Sequence, residues 1–273
     1  MLKTFFDKDQ NIDKGTSMSI LNLANQNEND REIILKTLIP NELFERYNID
    51  RDTLCNRYGE RVINFYYPET HYWISIRLKR MASDKDCILE LDLEHKPTHQ
   101  LELSFIMIND PDGERFYQDV DEFGKKTIFG TVRRNIKEEI RAMEAGLAPF
   151  QIRRGLRLFK VFKVHLDRFA KKMEYQMIFT YPLGYHNAIH YERNGFSYVT
   201  KKTWMREINE GFREGGNLYK KLDNSTPFRR KKIEKTPIGR SWAIYDGILG
   251  EPFKDVKMFR MVGKDFNVNT FMP

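Results

Sequence analysis

Residues with chemical potential concentrate between Tyr181 and Val199, which read YPLGYHNAIHYERNGFSYV. Tyr191 stands four residues before Gly195-Phe196, so a helix carrying a phenol should end at an Asn-Gly turn and pass into an aromatic strand. His186 and His190 are four apart and would share a helix face. That spacing invites a zinc reading, but no glutamate follows His186 and no third ligand is evident, so no metal is expected. A second stretch, Gln151-Ile-Arg-Arg-Gly155-Leu-Arg157, opens an amphipathic run. A helix N-terminus there would offer unpaired N–H groups and about half a unit of positive charge. Gly155 would let backbone approach a phosphate, with Arg153, Arg154 and Arg157 adding charge. The plain alternative is the exposed start of a helix.

The elements that must position these groups are legible by period. Trp73–Arg80, Ile88–Glu94 and Leu101–Ile108 alternate apolar and polar, which predicts an antiparallel meander with one wet face. The third run is expected to place Leu101, Leu103, Phe105 and Met107 on one side. Arg61–Tyr67 reads as a further strand. The basic outer row of the first meander run should lie beside the acidic row of the second. Val132–Ala145 and Gly155–Lys171 carry helical stripes, and Tyr175–Tyr181, a short helix about Asn187–Arg193 and Phe196–Thr200 read as strand, helix, strand. Either Trp242–Ile244 or Val256–Val262 would supply a last strand. Near the amino end, Pro40 stops one helix and Asn41 caps the next.

The expected fold is therefore α+β, a mixed α/β class: a central, mostly antiparallel twisted sheet of about six or seven strands with flanking helices. Residues 1–58 form a helical extension, 59–200 the core with a helical insertion at about 109–150, and 201–273 a basic segment with the final strand or strands. This order resembles the GNAT superfamily of N-acetyltransferases. Gln151–Arg157 is similar to the family's [Q/R]-x-x-G-x-[G/A] turn, and Asn187–Phe196 to its later N-x-A-x-x-x-Y-x-x-x-G-F-like signature. The resemblance implies acetyl-CoA or another acyl-CoA as co-substrate and an amine as acceptor. It places the pyrophosphate on Gln151, Arg153, Arg154, Gly155, Leu156 and Arg157, and assigns Tyr191 as general acid to the leaving thiolate. Asn187 would cap the helix or bind the pantetheine arm. His186 is a candidate proton acceptor, and so are the carboxylates Glu90, Asp92, Glu94 and Glu102, among which the sequence does not choose. In the family a strand leads directly into the pyrophosphate turn. Here about 45 residues intervene, so either a strand near Thr127–Gly130 takes that role or the loop is remodelled.

Bulk composition narrows the setting. The chain has 273 residues, two cysteines and no apolar run of about 20, which suits a cytoplasmic protein without a membrane span. The net charge is +7, and residues 201–240 hold 12 Lys/Arg against 5 Asp/Glu, so the whole excess sits there. This segment is a solvated loop or a surface for an anionic partner. Two alternatives to catalysis therefore stay open: a catalytically silent GNAT-like binding or regulatory protein, and a nucleic-acid-associated protein. Trp204, Phe212, Tyr219 and Phe228 interleave with the basic residues, as stacking surfaces do.

Overall fold

A computed structural model describes residues 20–23, 26–67, 72–127 and 133–272. Helices α1 (Ile20–Leu23), α2 (Glu28–Lys36) and α3 (Asn41–Arg46) come first. Asn27 caps α2 by accepting from the Asp30 N–H at 2.9 Å, and Glu28 and Asp30 favour its positive end. Asn41 is not a cap. It is the first helical residue of α3, and Pro40 holds the cap position.

Strands β1 (Ile63–Tyr66), β2 (Trp73–Leu78), β3 (Leu89–Lys96) and β4 (Gln100–Ile108) form the expected antiparallel meander. Alternation buries Ile74, Ile76, Leu78, Leu89, Leu91, Leu93, Leu101 and Leu103. On the other face Arg77 bonds Asp92 at 2.8 Å and approaches Glu90 to 3.0 Å, the predicted basic-to-acidic pairing. One expectation is corrected. Leu93 pairs with Leu103 but Asp92 pairs with Phe105, so Ser104 is an extra residue in β4. Such a bulge inverts the alternation beyond it. Phe105 and Met107 join the face of Asp92 and Glu90, and Ile106 turns to the core.

Helices α4 (Ile136–Glu144) and α5 (Phe159–Lys172) follow, then β5 (Met177–Thr180), α6 (Tyr185–Glu192) and β6 (Ser197–Tyr198). The basic segment folds into α7 (Lys202–Phe212), α8 (Asn217–Lys220), two single turns and the first turn of α9 (Pro237–Tyr245), so it is not a loop. Trp242–Ile244 lies in α9, started by Thr236 capping the Gly239 N–H ahead of Pro237. The other candidate supplies the last strand, β7 (Met258–Met261). It runs antiparallel between β5 and β6, giving the order β1-β2-β3-β4-β5-β7-β6. Among the described residues only β4 and β5 pair in parallel.

The main core packs against this sheet's apolar rows. A second, small core joins the two insertions. Phe116, Ala142 and Leu147 from the first pack on Phe228 and Trp242 from the second. Trp242 Nε1 donates to the Leu147 carbonyl at 2.8 Å, and its ring stacks on Phe228 at 5.2 Å. Arg240 is 1 % exposed and has no carboxylate partner among the described residues; it donates to the carbonyls of Glu234 and Met272 and to Asn209 Oδ1, under the ring of Phe271. The free thiols of Cys55 and Cys87 are half-buried. No helix among the described residues is long and apolar enough to cross a membrane.

Candidate active site

The parallel pair is the geometric origin of the site. Only Leu101–Ile178 and Glu102–Phe179 pair, after which β4 continues to Ile108 while β5 stops at Thr180. The last tie is the Thr180 hydroxyl, which donates to the Leu103 carbonyl at 2.9 Å. Beyond it the two strands part, beside the Ser104 bulge.

The far side of this opening is closed by the start of α5. The chain leaves β4 at Asn109, runs through the insertion, and comes back to the same strand end. Asn109 and Gly155 form a bridge, Leu156 N–H donates to the Ile108 carbonyl at 3.2 Å, and Asp110 N–H donates to the Arg154 carbonyl at 2.8 Å. The intervening residues are thus a remodelled loop that still delivers the turn to β4. Thr127 lies in a loop and residues 128–130, the rest of the alternative strand, fall outside the described residues, as does Val132. Gly155 eases the approach: a Cβ there would sit 3.2 Å from the Ile108 carbonyl oxygen, close enough that the backbone would have to give slightly.

Helix α5 has 14 residues, no side-chain cap and no acidic residue in its first turn. Its leading N–H groups therefore have no side-chain cap, and its positive end has no acidic side chain in the first turn. Arg157 precedes it with φ 60°, exposed, and pairs with no described residue. The other predicted phosphate ligands are committed elsewhere. Gln151 Oε1 accepts from the Ala148 N–H at 2.8 Å. Arg153 bonds Asp86 at 3.2 Å and the carbonyls of Pro111 and Gly113. Arg154 donates to the Ala145 carbonyl at 3.0 Å. Leu156 packs on the main core.

Tyr191 lies 8 % exposed on α6. Its ring is 5.7 Å from that of Phe159, the first residue of α5, and 5.1 Å from Phe196. Its hydroxyl lies near the Thr180 side chain, whose own proton goes to the Leu103 carbonyl, which places the phenol beside the point where β4 and β5 part. Burial raises its pKa above the ordinary tyrosine value, and Thr180 opposes that in part. Asn187 lies one turn earlier on the same helix and does not cap it; Gly184 holds that position with no side-chain bond. The Asn187 amide is half-buried and pairs with no described residue.

His186 Nδ1 lies 2.8 Å from Ser241 Oγ on α9. Burial, with His190 nearby, pushes its pKa down to about 3. So weak a base serves better as a neutral bracket between α6 and α9 than as a proton acceptor. His190 packs its ring edge-on to Phe159 at 4.6 Å. Among the described residues no cluster could hold a metal. The carboxylates resolve into two sets. Glu90 and Asp92 share Arg77, and Glu94 and Glu102 share Lys96. Burial raises the Glu90 pKa, with Arg77 opposing it.

Of the four aromatics of the basic segment, Phe212 and Phe228 are closed to bases and Trp204 and Tyr219 are half-buried. Phe212 and Phe228 are 1 % exposed, Trp204 stacks on Phe253 at 5.4 Å, and Tyr219 packs on the main core. A cavity of about 620 Å³ lies between Glu192–Gly195 and Asp265–Phe271, and neither Tyr191 nor Gly155 lines it. Thr180 and the Ser104 bulge were not foreseen. Thr180 could have been found as the polar residue closing an apolar strand; the bulge leaves no mark in composition. No protein-family model, curated protein or solved structure matches the chain.

Proposed function

We propose that the chain is an acyl-CoA-dependent N-acyltransferase of GNAT type, moving an acyl group from the thioester to an amine in a ternary complex. One observation carries this: the phenol of Tyr191 sits where β4 and β5 separate, next to the uncapped start of an α5 that returns to the tip of β4. Strand order and helix placement agree with the resemblance read from Gln151–Arg157 and Asn187–Phe196.

The residues fit a coenzyme A substrate through backbone more than side chain. The first-turn amides of α5, Gly155 and Arg157 would hold the pyrophosphate. The unpaired Asn187 amide would meet the pantetheine arm. The thioester would lie in the opening, where a bulge takes one β4 residue out of the ladder and offers its N–H to a developing oxyanion. The acceptor nitrogen attacks the carbonyl carbon, a C–N bond forms and the C–S bond breaks. The sulfur takes the Tyr191 proton, and the nitrogen gives up its own to solvent or a carboxylate. A buried phenol stays protonated at neutral pH, as this step requires.

Calorimetry with acetyl-CoA and hydrolysis-corrected thiol release with mixed amines provide the test. Binding near equimolar stoichiometry is expected. Absence of both heat and thermal shift would favour the silent binding protein instead.

A further inference from the structure

The opening between β4 and β5 has two sides. Ile178 and Tyr191 belong to the main core, and Thr180 shares the face of Ile178, so the phenol approaches from that side. Phe179 alternates onto the other face. There the register aligns Glu94, Glu102, Phe179 and Phe259 in one row across four strands. Glu102 is the last β4 residue paired with β5, and its Oε1 accepts from Ser104 Oγ in the bulge at 3.1 Å. Its carboxylate therefore stands at the mouth of the opening.

Opposite charges flank this mouth. Lys96 lies 3.3 Å from Glu102 and 2.7 Å from Glu94, so one cation answers two carboxylates and a negative charge is left over. Lys257 supplies the positive side. Its ammonium lies 4.5 Å from the centre of the Phe179 ring and 5.6 Å from that of Tyr181. Among the described residues no carboxylate pairs with it and no side-chain hydrogen bond holds it. Lys257 is half-buried, and the two rings fix where its charge stands. Phe179 is the cross-strand neighbour of Glu102, and neighbouring strands lie about 4.8 Å apart. Apolar surface is open on the same side. Tyr181 is 47 % exposed, and Val199, whose N–H donates to the Lys257 carbonyl at 2.8 Å, is 51 % exposed.

We propose that the acceptor is a free α-amino acid with an apolar side chain. This rests on the acyltransferase reading above and names its substrate. The carboxylate pairs with Lys257, the amine is drawn toward Glu102 and the opening, and the side chain packs on Tyr181 and Val199. The amine nitrogen bonds the acyl carbon as the C–S bond breaks. The products are an N-acyl amino acid and the free thiol, with one proton released to solvent. An amine without the carboxylate leaves Lys257 unanswered, and a polyamine sets a second cation against it.

Hydrolysis-corrected thiol release from acetyl-CoA by the full chain tests this. Phenylalanine and leucine are compared with phenethylamine and isoamylamine, which lack only the carboxylate, and with spermidine. Each amino acid should exceed its amine counterpart about tenfold or more in kcat/KM. Lys257→Met should lower that ratio about tenfold, through KM, and Lys257→Arg should largely keep it. Calorimetric affinity for acetyl-CoA should stay within about twofold in both variants, because the proposed phosphate contacts lie on α5. Simple amines or spermidine turning over as well as the amino acids, or a ratio unmoved by Lys257→Met, would overturn the acceptor class and leave acyl transfer standing. Absence of both acetyl-CoA binding and thiol release would overturn the acyltransferase reading and this inference with it.

Discussion

Replacing Tyr191 with phenylalanine removes one oxygen and nothing else from the opening between β4 and β5. The ring contacts to Phe159 and Phe196 remain. Thr180 donates to the Leu103 carbonyl at 2.9 Å with or without the phenol, so no buried group is orphaned. The stability cost should therefore sit at about 1 kcal/mol or below, a fall of roughly 2–4 °C in Tm for a chain of this size. Loss of a general acid is larger: about 10²-fold or more in kcat, or at least roughly 2.7 kcal/mol in the barrier. Coenzyme A affinity should stay within about threefold, because the proposed phosphate contacts lie on α5. Single-turnover thiol release together with calorimetry separates the two quantities. Burial holds the phenol above its ordinary pKa, so its deprotonation should not limit the parent rate below about pH 10. A variant turning over within threefold of the parent, or one that loses affinity at unchanged kcat, would refute the acid role.

Four further outcomes follow from particular contacts. Arg157→Glu should weaken coenzyme A about tenfold by calorimetry with little change in Tm, since that guanidinium pairs with no described residue; Arg153→Ala should do the reverse, lowering Tm by loosening the turn tied to Asp86. Gly195→Ala places a Cβ 2.2 Å from Asp265 Oδ1 at φ +85°, and Asp265 is held by Lys163 and Arg260, so denaturant unfolding should show a loss of about 2 kcal/mol or more. Arg240→Ala removes the side-chain donor from the Glu234 and Met272 carbonyls, leaves Asn209 Oδ1 with the Met272 N–H alone, and should cost about 1–3 kcal/mol by the same measurement. His186 has a native pKa near 3 against about 6.5 unfolded, so its contribution is complete above pH 6.5 and is lost as pH falls toward 3. His186→Gln should accordingly flatten the acid side of a urea-midpoint profile.

Much of the sheet was visible because burial on one face writes a period of two into the sequence. Ile74–Leu78, Leu89–Leu93 and Leu101–Leu103 all followed it. The pattern failed at Ser104, where an extra residue changes register without changing composition. It failed again at Trp242–Ile244, three apolar residues too few to distinguish strand from helix. The Thr236-Pro237 start was the available signal there. Tyr191 was placed correctly on its helix because the Asn-Gly break fixed the helix end. Its partner Thr180 was not foreseen, since their meeting depends on how β5 and α6 pack. The bonds from Gly155 and Leu156 back to Asn109 and Ile108 were equally hidden. They join residues far apart in the chain through main-chain atoms, and no residue type encodes them.

That return also changes what the basic turn does. Side-chain type suggested that Gln151, Arg153 and Arg154 would grip a phosphate. Each is instead bonded to protein: Gln151 closes its own turn, Arg154 holds the end of α4 through Ala145, and Arg153 ties the turn to Asp86 and to the carbonyls after β4. Arg115 shares Asp86 at 2.8 Å, so one carboxylate anchors both the outgoing and the returning chain. Burial raises the Asp86 pKa but the two guanidinium groups outweigh it and hold it low, so the anchor stays charged at neutral pH. A long insertion needs such anchoring, because the cost of closing a loop grows only slowly with length while its freedom to miss the target does not. The arginines thus act on the site by position. They set Gly155 and the start of α5 against β4, and the proposed coenzyme A site would fall to the first-turn amides and Arg157.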